Sequence, residues 1–268
     1  MVIGPSRYDS GVPDFDPATP SIARLYDYLL GGKDNFAADR EAADKLLAVA
    51  PDSGEAMREN RQFLARATRW VAAEGITQFV DLGCGMPTEP NTHSTAAAAA
   101  TDPRVAYVDT DAVVLAHLRA LAAQGNEGVT VIDGDVREVK TVLDAVAASI
   151  DLSRPACLLT GALLHFFPID TAGDLVGRYV AALAPGSYLV LSIGHAEGAE
   201  ADDVFSAYSA SGNRAYNHSV ADFGDFFRGL TIVEPGIADA RLWHADAELA
   251  APLAHRTGQY LVGVARVG

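Results

Sequence analysis

The spacing of apolar positions changes period once along the chain, near residue 75. Before that point it is helical. Ile22, Leu25, Tyr26, Leu29 and Leu30 recur at i, i+3, i+4, i+7 and i+8 behind Ser21, a residue type suited to capping a helix, and Gly31-Gly32 closes the stripe. A second helical stretch is expected over 37–50, stopped by Pro51. A third, over 54–74, sets Met57, Leu64, Ala67 and Val71 near one face and ends at Gly75. Ahead of them, residues 1–20 hold Pro5, Pro13, Pro17 and Pro20 among Asp and Gly, the composition of a flexible lead-in.

From residue 76 short apolar, β-branched runs alternate with helical stretches. Strands are expected near 76–82, 104–109, 128–133, 155–161 and 187–193, with helices between them, for example over 111–124 and 170–183. Such alternation means βαβ units, hence an α/β fold with a mostly parallel sheet covered on both faces. The tail differs. Two late runs, 230–234 and 259–267, read as strands with no clear full-length helix between them, which predicts an antiparallel finish to the sheet. Three parts follow: a lead-in over 1–20, an N-terminal helical cap over 21–75, and an α/β core over 76–268. No repeats occur, and Ala96–Ala100 is a helix former rather than a linker.

Composition narrows the partners. The 268 residues are 49% apolar and 21% charged, enough for a packed core and too apolar for wholesale disorder. The formal net charge of -15 opposes phosphate backbones, and no cluster of Lys and Arg offsets it, so nucleic acid is not the expected partner. The two cysteines, Cys84 and Cys157, lie far apart in apolar runs without a C-x-x-C, as buried reduced thiols of a cytoplasmic protein do. The N-terminus carries no apolar signal region, and no run of 18 apolar residues indicates a membrane span.

The chemistry concentrates at three strand ends. Phe79-Val80-Asp81-Leu82-Gly83-Cys84-Gly85-Met86-Pro87 is a strand that delivers an acid into a glycine-rich turn, where the backbone can turn sharply and approach a ligand closely. The second strand ends in Asp109, a carboxylate placed to accept from a ribose diol, and Asp111 follows. The third ends in Asp133-Gly134-Asp135-Val136, where an acid can accept from an adenine amino group and the next N–H can donate to a ring nitrogen. All three lie on the edge of a parallel sheet where ligands bind. A dinucleotide site is the nearest rival. Its fingerprint wants Gly or Ala where this chain has Thr88, and Asp81 beside the turn would oppose a pyrophosphate. The same carboxylate would suit the ammonium of a methionyl group and tolerate a sulfonium, so the site reads as one for a cationic, phosphate-free nucleoside.

These strand ends resemble those of class I methyltransferases that use S-adenosylmethionine (SAM). The segments Ala23-Arg24-Leu25-Tyr26-Asp27-Tyr28-Leu29-Leu30-Gly31-Gly32-Lys33-Asp34-Asn35-Phe36, Arg58-Glu59-Asn60-Arg61-Gln62-Phe63-Leu64 and Asp81-Leu82-Gly83-Cys84-Gly85-Met86-Pro87-Thr88 further resemble the actinobacterial S-adenosyl methyltransferase family first catalogued as a domain of unknown function. The resemblance runs from about residue 20 to the end. It implies a Rossmann-like core with an N-terminal helical addition, SAM as cofactor, and no settled acceptor. Carried over by position, Asp81, Gly83 and Gly85 are expected at the methionyl part, Asp109 with Asp111 at the ribose, and Asp135 and Val136 at the adenine. Thr160, Leu163 and His165, at the exit of the fourth strand, are expected to line the pocket beside the sulfonium. Met86-Pro87 stands where the broader superfamily often has a third turn glycine.

Smaller signals leave alternatives open. Gly31-Gly32-Lys33 is not a phosphate loop, because Asp27 and Asp34 occupy the required Gly and Ser/Thr positions. The segment is either a helix stop or a lid, with Tyr28, Lys33, Asn35 and, from the later chain, Tyr216 as lid or acceptor-site candidates. His165 is a candidate base or a packing residue. His195-Ala196-Glu197 lacks the downstream cysteines of a zinc deaminase, and no metal site is expected. The expected function is methyl transfer from SAM to a small-molecule acceptor. A non-catalytic SAM-binding module and an NAD-dependent oxidoreductase remain the alternatives. Catalytic residues and oligomeric state are not legible.

Overall fold

The computed structural model describes residues 16–198, 201–209, 214–245 and 259–268. Residues 1–15 of the expected lead-in lie outside the described residues.

The helical start forms as the spacing predicts. Helices α1 (Ile22–Leu29), α2 (Ala37–Val49) and α3 (Ser53–Ala73) precede the first strand. Gly31 turns α1 off at φ 85°, and Gly32 N–H donates to the Asp27 carbonyl. The α1 stripe divides in two. Leu25 and Leu29 enter the main core, while Ile22, Tyr26 and Leu30 face a cavity.

The sheet follows. Strands β1 (Gln78–Leu82), β2 (Arg104–Asp109), β3 (Val129–Asp133), β4 (Cys157–Gly161) and β5 (Tyr188–His195) are parallel neighbours. Between them lie α4 (Thr92–Ala97), α5 (Ala112–Ala122), α6 (Val139–Val146) and α7 (Ile169–Val180), and after β5 come α8 (Ala201–Ser209) and α9 (Val220–Asp225). Two short strands, β6 (Thr231–Ile232) and β7 (Ala238–Asp239), and the long β8 (Gln259–Arg266) complete the sheet. β8 runs antiparallel to β5 from Tyr188 against Arg266 to His195 against Gln259, the antiparallel finish the late strands predict. The order is β3-β2-β1-β4-β5-β8-β6, with β7 also on β8.

Side-chain alternation builds two cores. Phe79, Val105, Tyr107, Cys157 and Leu159 face one layer, with α3, α4 and α5. Val80, Leu82, Ala106, Val108 and Leu158 face the other, with α6, α7 and α9. The chain leaves β1 toward β2 and β3 on one side and returns through β4 to β5 on the other. The switch point therefore falls between β1 and β4, where the strand ends open a crevice. Helix α3 packs against β4, β5 and β8 as well as α1, so it belongs to the helical layer of the sheet as much as to the cap.

Candidate functional site

A cavity of about 700 Å³ occupies that crevice, within the range of roughly 300–1,000 Å³ usual for small-molecule sites. Its floor is the carboxyl ends of four strands: Asp81, Gly83 and Cys84 after β1, Asp109 and Asp111 after β2, Asp135 and Val136 after β3, Gly161 to Leu163 after β4. Its other wall is helical, with Ser21, Ile22, Tyr26, Asp27 and Leu30 from the start of the chain and Asn60, Arg61, Leu64, Ala65 and Thr68 from α3. Residues far apart in sequence thus converge as the parallel sheet requires.

The turn after β1 takes two left-handed glycines, Gly83 at φ 61° and Gly85 at φ 64°. A Cβ on Gly83 would stand 2.7 Å from Leu163, across the cavity floor. Gly85 does not itself line the cavity; its N–H donates to Asp109 Oδ2 at 2.9 Å. Asp109 Oδ1 accepts from the Thr110 and Asp111 N–H groups at 2.8 and 2.9 Å. The Asp109 carboxylate is therefore fixed in direction: backbone N–H groups take three of its roughly four acceptor sites, and the Cys84 thiol makes only a weak 3.9 Å contact to Oδ2. Burial raises its pKa against the pull of these N–H groups.

Asp81 accepts from Thr92 Oγ1 at 2.6 Å through one oxygen. Burial pushes its carboxyl up to about 6, opposed by the Thr92 hydrogen bond and the nearby Arg61 charge. Asp135 pairs with Arg137 at the cavity rim, and that hydrogen bond holds its pKa below the usual carboxylate value. Val136 and Leu163 line the cavity as expected. Ala162, also in the wall, has φ 54°, uncommon for a residue with a Cβ, and its N–H is held by the carbonyl and the hydroxyl of Ser192.

Asp111 lines the cavity as expected, whereas Thr160, His165 and the lid candidates do not. Asp111 caps α5 with one oxygen, which accepts from Val113 and Val114 N–H, and meets Ser21 Oγ and Arg24 Nη1 with the other. Its carboxylate is committed to the helix and to α1. Thr160 lies on the face of β4 that also carries Leu158. It abuts a small apolar space with Leu82 and Leu175, separated from the main cavity by Val136 and Leu163, and its hydroxyl has no hydrogen-bond partner among the described residues. His165 does not line the cavity either. Its Nδ1 accepts from Gly194 N–H at 3.1 Å, and burial pushes its pKa down to about 3, so the ring is a neutral packing group beside Phe166. None of the four lid candidates lines the cavity. Tyr28 reaches Asp44, Lys33 is exposed, Asn35 ties the turn to Asp27 and the Gly32 carbonyl, and Tyr216 stacks on His218.

The helical wall was not assigned from sequence. Asn60, Arg61, Leu64, Ala65 and Thr68 recur at i, i+1, i+4, i+5 and i+8, one stripe of α3. The available signal was two polar residues, Asn60 and Thr68, on the face that carries Met57, Leu64 and Val71; both are 1% exposed. Arg61 Nη2 donates to the Met86 and Thr88 carbonyls at 2.9 and 2.7 Å. Asn60 Oδ1, Arg61 Nε and Thr68 Oγ1 are buried without a partner among the described residues.

Comparisons with known proteins place the family and the fold. Chains of known structure similar to this one include a DUF574-family protein from Streptomyces avermitilis, 37% identical over 94% of this chain and 99% of that one, with a TM-score of 0.89. A Thermobifida fusca protein assigned to the methyltransferases is 36% identical over 98% of this chain and 99% of that one, with a TM-score of 0.88. At 14% identity, the magnesium protoporphyrin IX methyltransferase of Synechocystis, solved with SAM bound, shares the fold over 95% of this chain and 98% of its own, with a TM-score of 0.53. No curated protein matches the chain. The sequence model of the S-adenosyl methyltransferase family matches residues 10–268, and the chain belongs to that family.

Proposed function

We propose that this SAM-dependent methyltransferase carries the methyl group to a small-molecule acceptor held in the cavity between the strand ends and helices α1 and α3. The observation that carries this reading is that one cavity joins two kinds of wall: the strand ends bring the acids suited to a nucleoside with a methionyl tail, and the helical wall adds an apolar surface of Ile22, Leu30 and Leu64.

The residues present fit the cofactor. Asp81, with one oxygen engaged by Thr92, is placed for the methionyl ammonium beside the turn opened by Gly83 and Gly85. Asp109, oriented by three backbone N–H groups, retains acceptor capacity for a ribose hydroxyl. Asp135 and Val136 stand where an adenine edge would lie, and Leu163 beside the reacting centre. When bound, the cofactor supplies a methyl carbon already activated by its sulfonium. The chain's part is then to orient. Ile22, Leu30, Leu64 and Phe166 give the cavity an apolar lining, and the acids hold the nucleoside, so the gain comes from holding an acceptor in line rather than from a strong base. His165, neutral and outside the cavity, takes no proton in this scheme.

Residues 21–75 act in this reading as the cover of the site, with α3 the part anchored on the sheet. The acidic chain favours neutral or cationic acceptors over nucleic acid. Among the described residues no helix is long and apolar enough to cross a membrane, and a cytoplasmic location fits the thiols of Cys84 and Cys157. The test is incubation with SAM and a broad panel of small metabolites, read as S-adenosylhomocysteine release. Release with small amines, phenols or alcohols supports the proposal; release only with nucleic acid or protein substrates contradicts it.

A further inference from the structure

We infer that Arg61 and Asp81 form a clamp for the zwitterionic amino-acid end of the cofactor, Arg61 taking the carboxylate and Asp81 the ammonium. The clamp rests on the cofactor seat proposed above and adds to it a residue and a specificity.

Arg61 reaches the cavity from α3, on the opposite wall from the strand that carries Asp81. Its Nη2 is pinned by the Met86 and Thr88 carbonyls, so the guanidinium is fixed against the end of the glycine turn. Its Nε is buried with no hydrogen-bond partner among the described residues, a state that is costly for a charged donor unless a ligand meets it. On the same helical wall Asn60 Oδ1 and Thr68 Oγ1 are buried and unpartnered too.

Asp81 offers the opposite charge. One of its oxygens takes the Thr92 hydroxyl, and the Arg61 charge acts on it. Yet no Arg61–Asp81 ion pair forms within 4 Å among the described residues, where Arg24, Arg137 and Arg241 all make such pairs. Two opposite charges therefore line one cavity without neutralising each other. A ligand with only a carboxylate would meet Asp81 unfavourably, and one with only an ammonium would meet Arg61. A group that bears both charges on one carbon satisfies both. The planar guanidinium, already oriented by two carbonyls, loses little freedom on taking a carboxylate.

The test compares three nucleosides by titration calorimetry: S-adenosylhomocysteine, its decarboxylated analogue, which keeps the amine, and 5′-methylthioadenosine, which lacks the whole amino-acid end. Wild-type protein is expected to bind S-adenosylhomocysteine at least about 10-fold more tightly than the decarboxylated analogue, the scale of one charged hydrogen bond. In Arg61→Gln that preference should collapse to within about 2-fold, while 5′-methylthioadenosine binding stays within about 2-fold of wild type. Retained 5′-methylthioadenosine binding also shows that the variant is folded. No preference in wild type, or a preference that survives in Arg61→Gln, overturns the clamp. Equal losses for S-adenosylhomocysteine and 5′-methylthioadenosine overturn it as well, since Arg61 would then only hold the turn. If wild type binds none of the three, the cofactor seat fails together with the clamp.

Discussion

Gly83 and Gly85 share a left-handed backbone but differ in what surrounds them, and this separates their roles. Alanine at either position carries the strain of positive φ, about 1 kcal/mol. At Gly83 the added methyl would also push Leu163 toward the cavity, because the two would stand 2.7 Å apart; at Gly85 nothing lies within 4 Å. Gly83→Ala should therefore lose more stability than Gly85→Ala in denaturant titration, and at least about 10-fold in SAM affinity, against a much smaller affinity loss in Gly85→Ala. Equal affinity losses would contradict this division.

Asp81 gives the residue scale a pH signature. Its carboxyl ionises near 6 in the unliganded fold against 3.8 as a free group. A raised acid binds protons more strongly in the folded state, so its contribution to stability is present below 3.8 and is lost as the pH rises through about 6. A bound ammonium favours the charged form. SAM affinity should thus be level above pH 7 and fall by up to about 10-fold per unit below 6, with Asp81→Asn removing that pH dependence while weakening binding throughout. Calorimetry across pH 5–8 checks this; an unchanged slope in the variant would refute it. Asp81, Gly83 and Asp109 were legible in sequence because strand ends and turn glycines are local signals. His165 was misplaced because it lies past β4, in a 3-10 turn over Leu164–Phe166 whose direction the strand does not set. Thr160 was misplaced for a reason of phase. At the end of a strand, one residue of rotation moves a side chain from the cavity to the opposite core, and sequence alone does not fix that phase.

At the scale of elements, α1 lines the cavity and is tied to the start of α5. Arg24, 3% exposed, bridges Asp39 at 2.9 Å and Asp111 at 3.3 Å, and Ser21 adds a hydrogen bond to Asp111. Removal of the cation leaves a fully buried Asp39 carboxylate without its ion pair. Arg24→Leu should lose about 3–5 kcal/mol in equilibrium unfolding and speed SAM dissociation, since α1 would no longer be tied to the start of α5. Stability within about 1 kcal/mol of wild type would show that the bridge does not hold the cap. The helical stripe of α1 predicted the element and its ends. It did not reveal that Tyr26 and Leu30 face a cavity while Leu25 and Leu29 face the core, because an apolar stripe reads alike against either. The lid candidates Tyr28, Lys33, Asn35 and Tyr216 all fall outside the cavity, whereas Ile22 and Tyr26 on another face of α1, and Leu30 at its end, line it. The two-residue strand β7 gave no periodicity to read, and it pairs only because β8 presents an edge to it.

At the scale of the whole molecule, topology assembles the site. Asp81, Asp109 and Asp135 are spread through three βα units, and the parallel order β3-β2-β1-β4 brings their strand ends to one crevice. Strand alternation made that sheet predictable. The helical wall was not, since α3 reaches the cavity only through tertiary packing on β4, β5 and β8. The claim that this crevice seats SAM is tested most directly by isothermal titration of the purified protein with SAM, S-adenosylhomocysteine and NAD, repeated on Asp109→Ala. The account predicts saturable binding of both S-adenosyl nucleosides, weakened at least about 10-fold in the variant, and no binding of NAD. No SAM binding, or binding untouched by the loss of the Asp109 carboxylate, would contradict it.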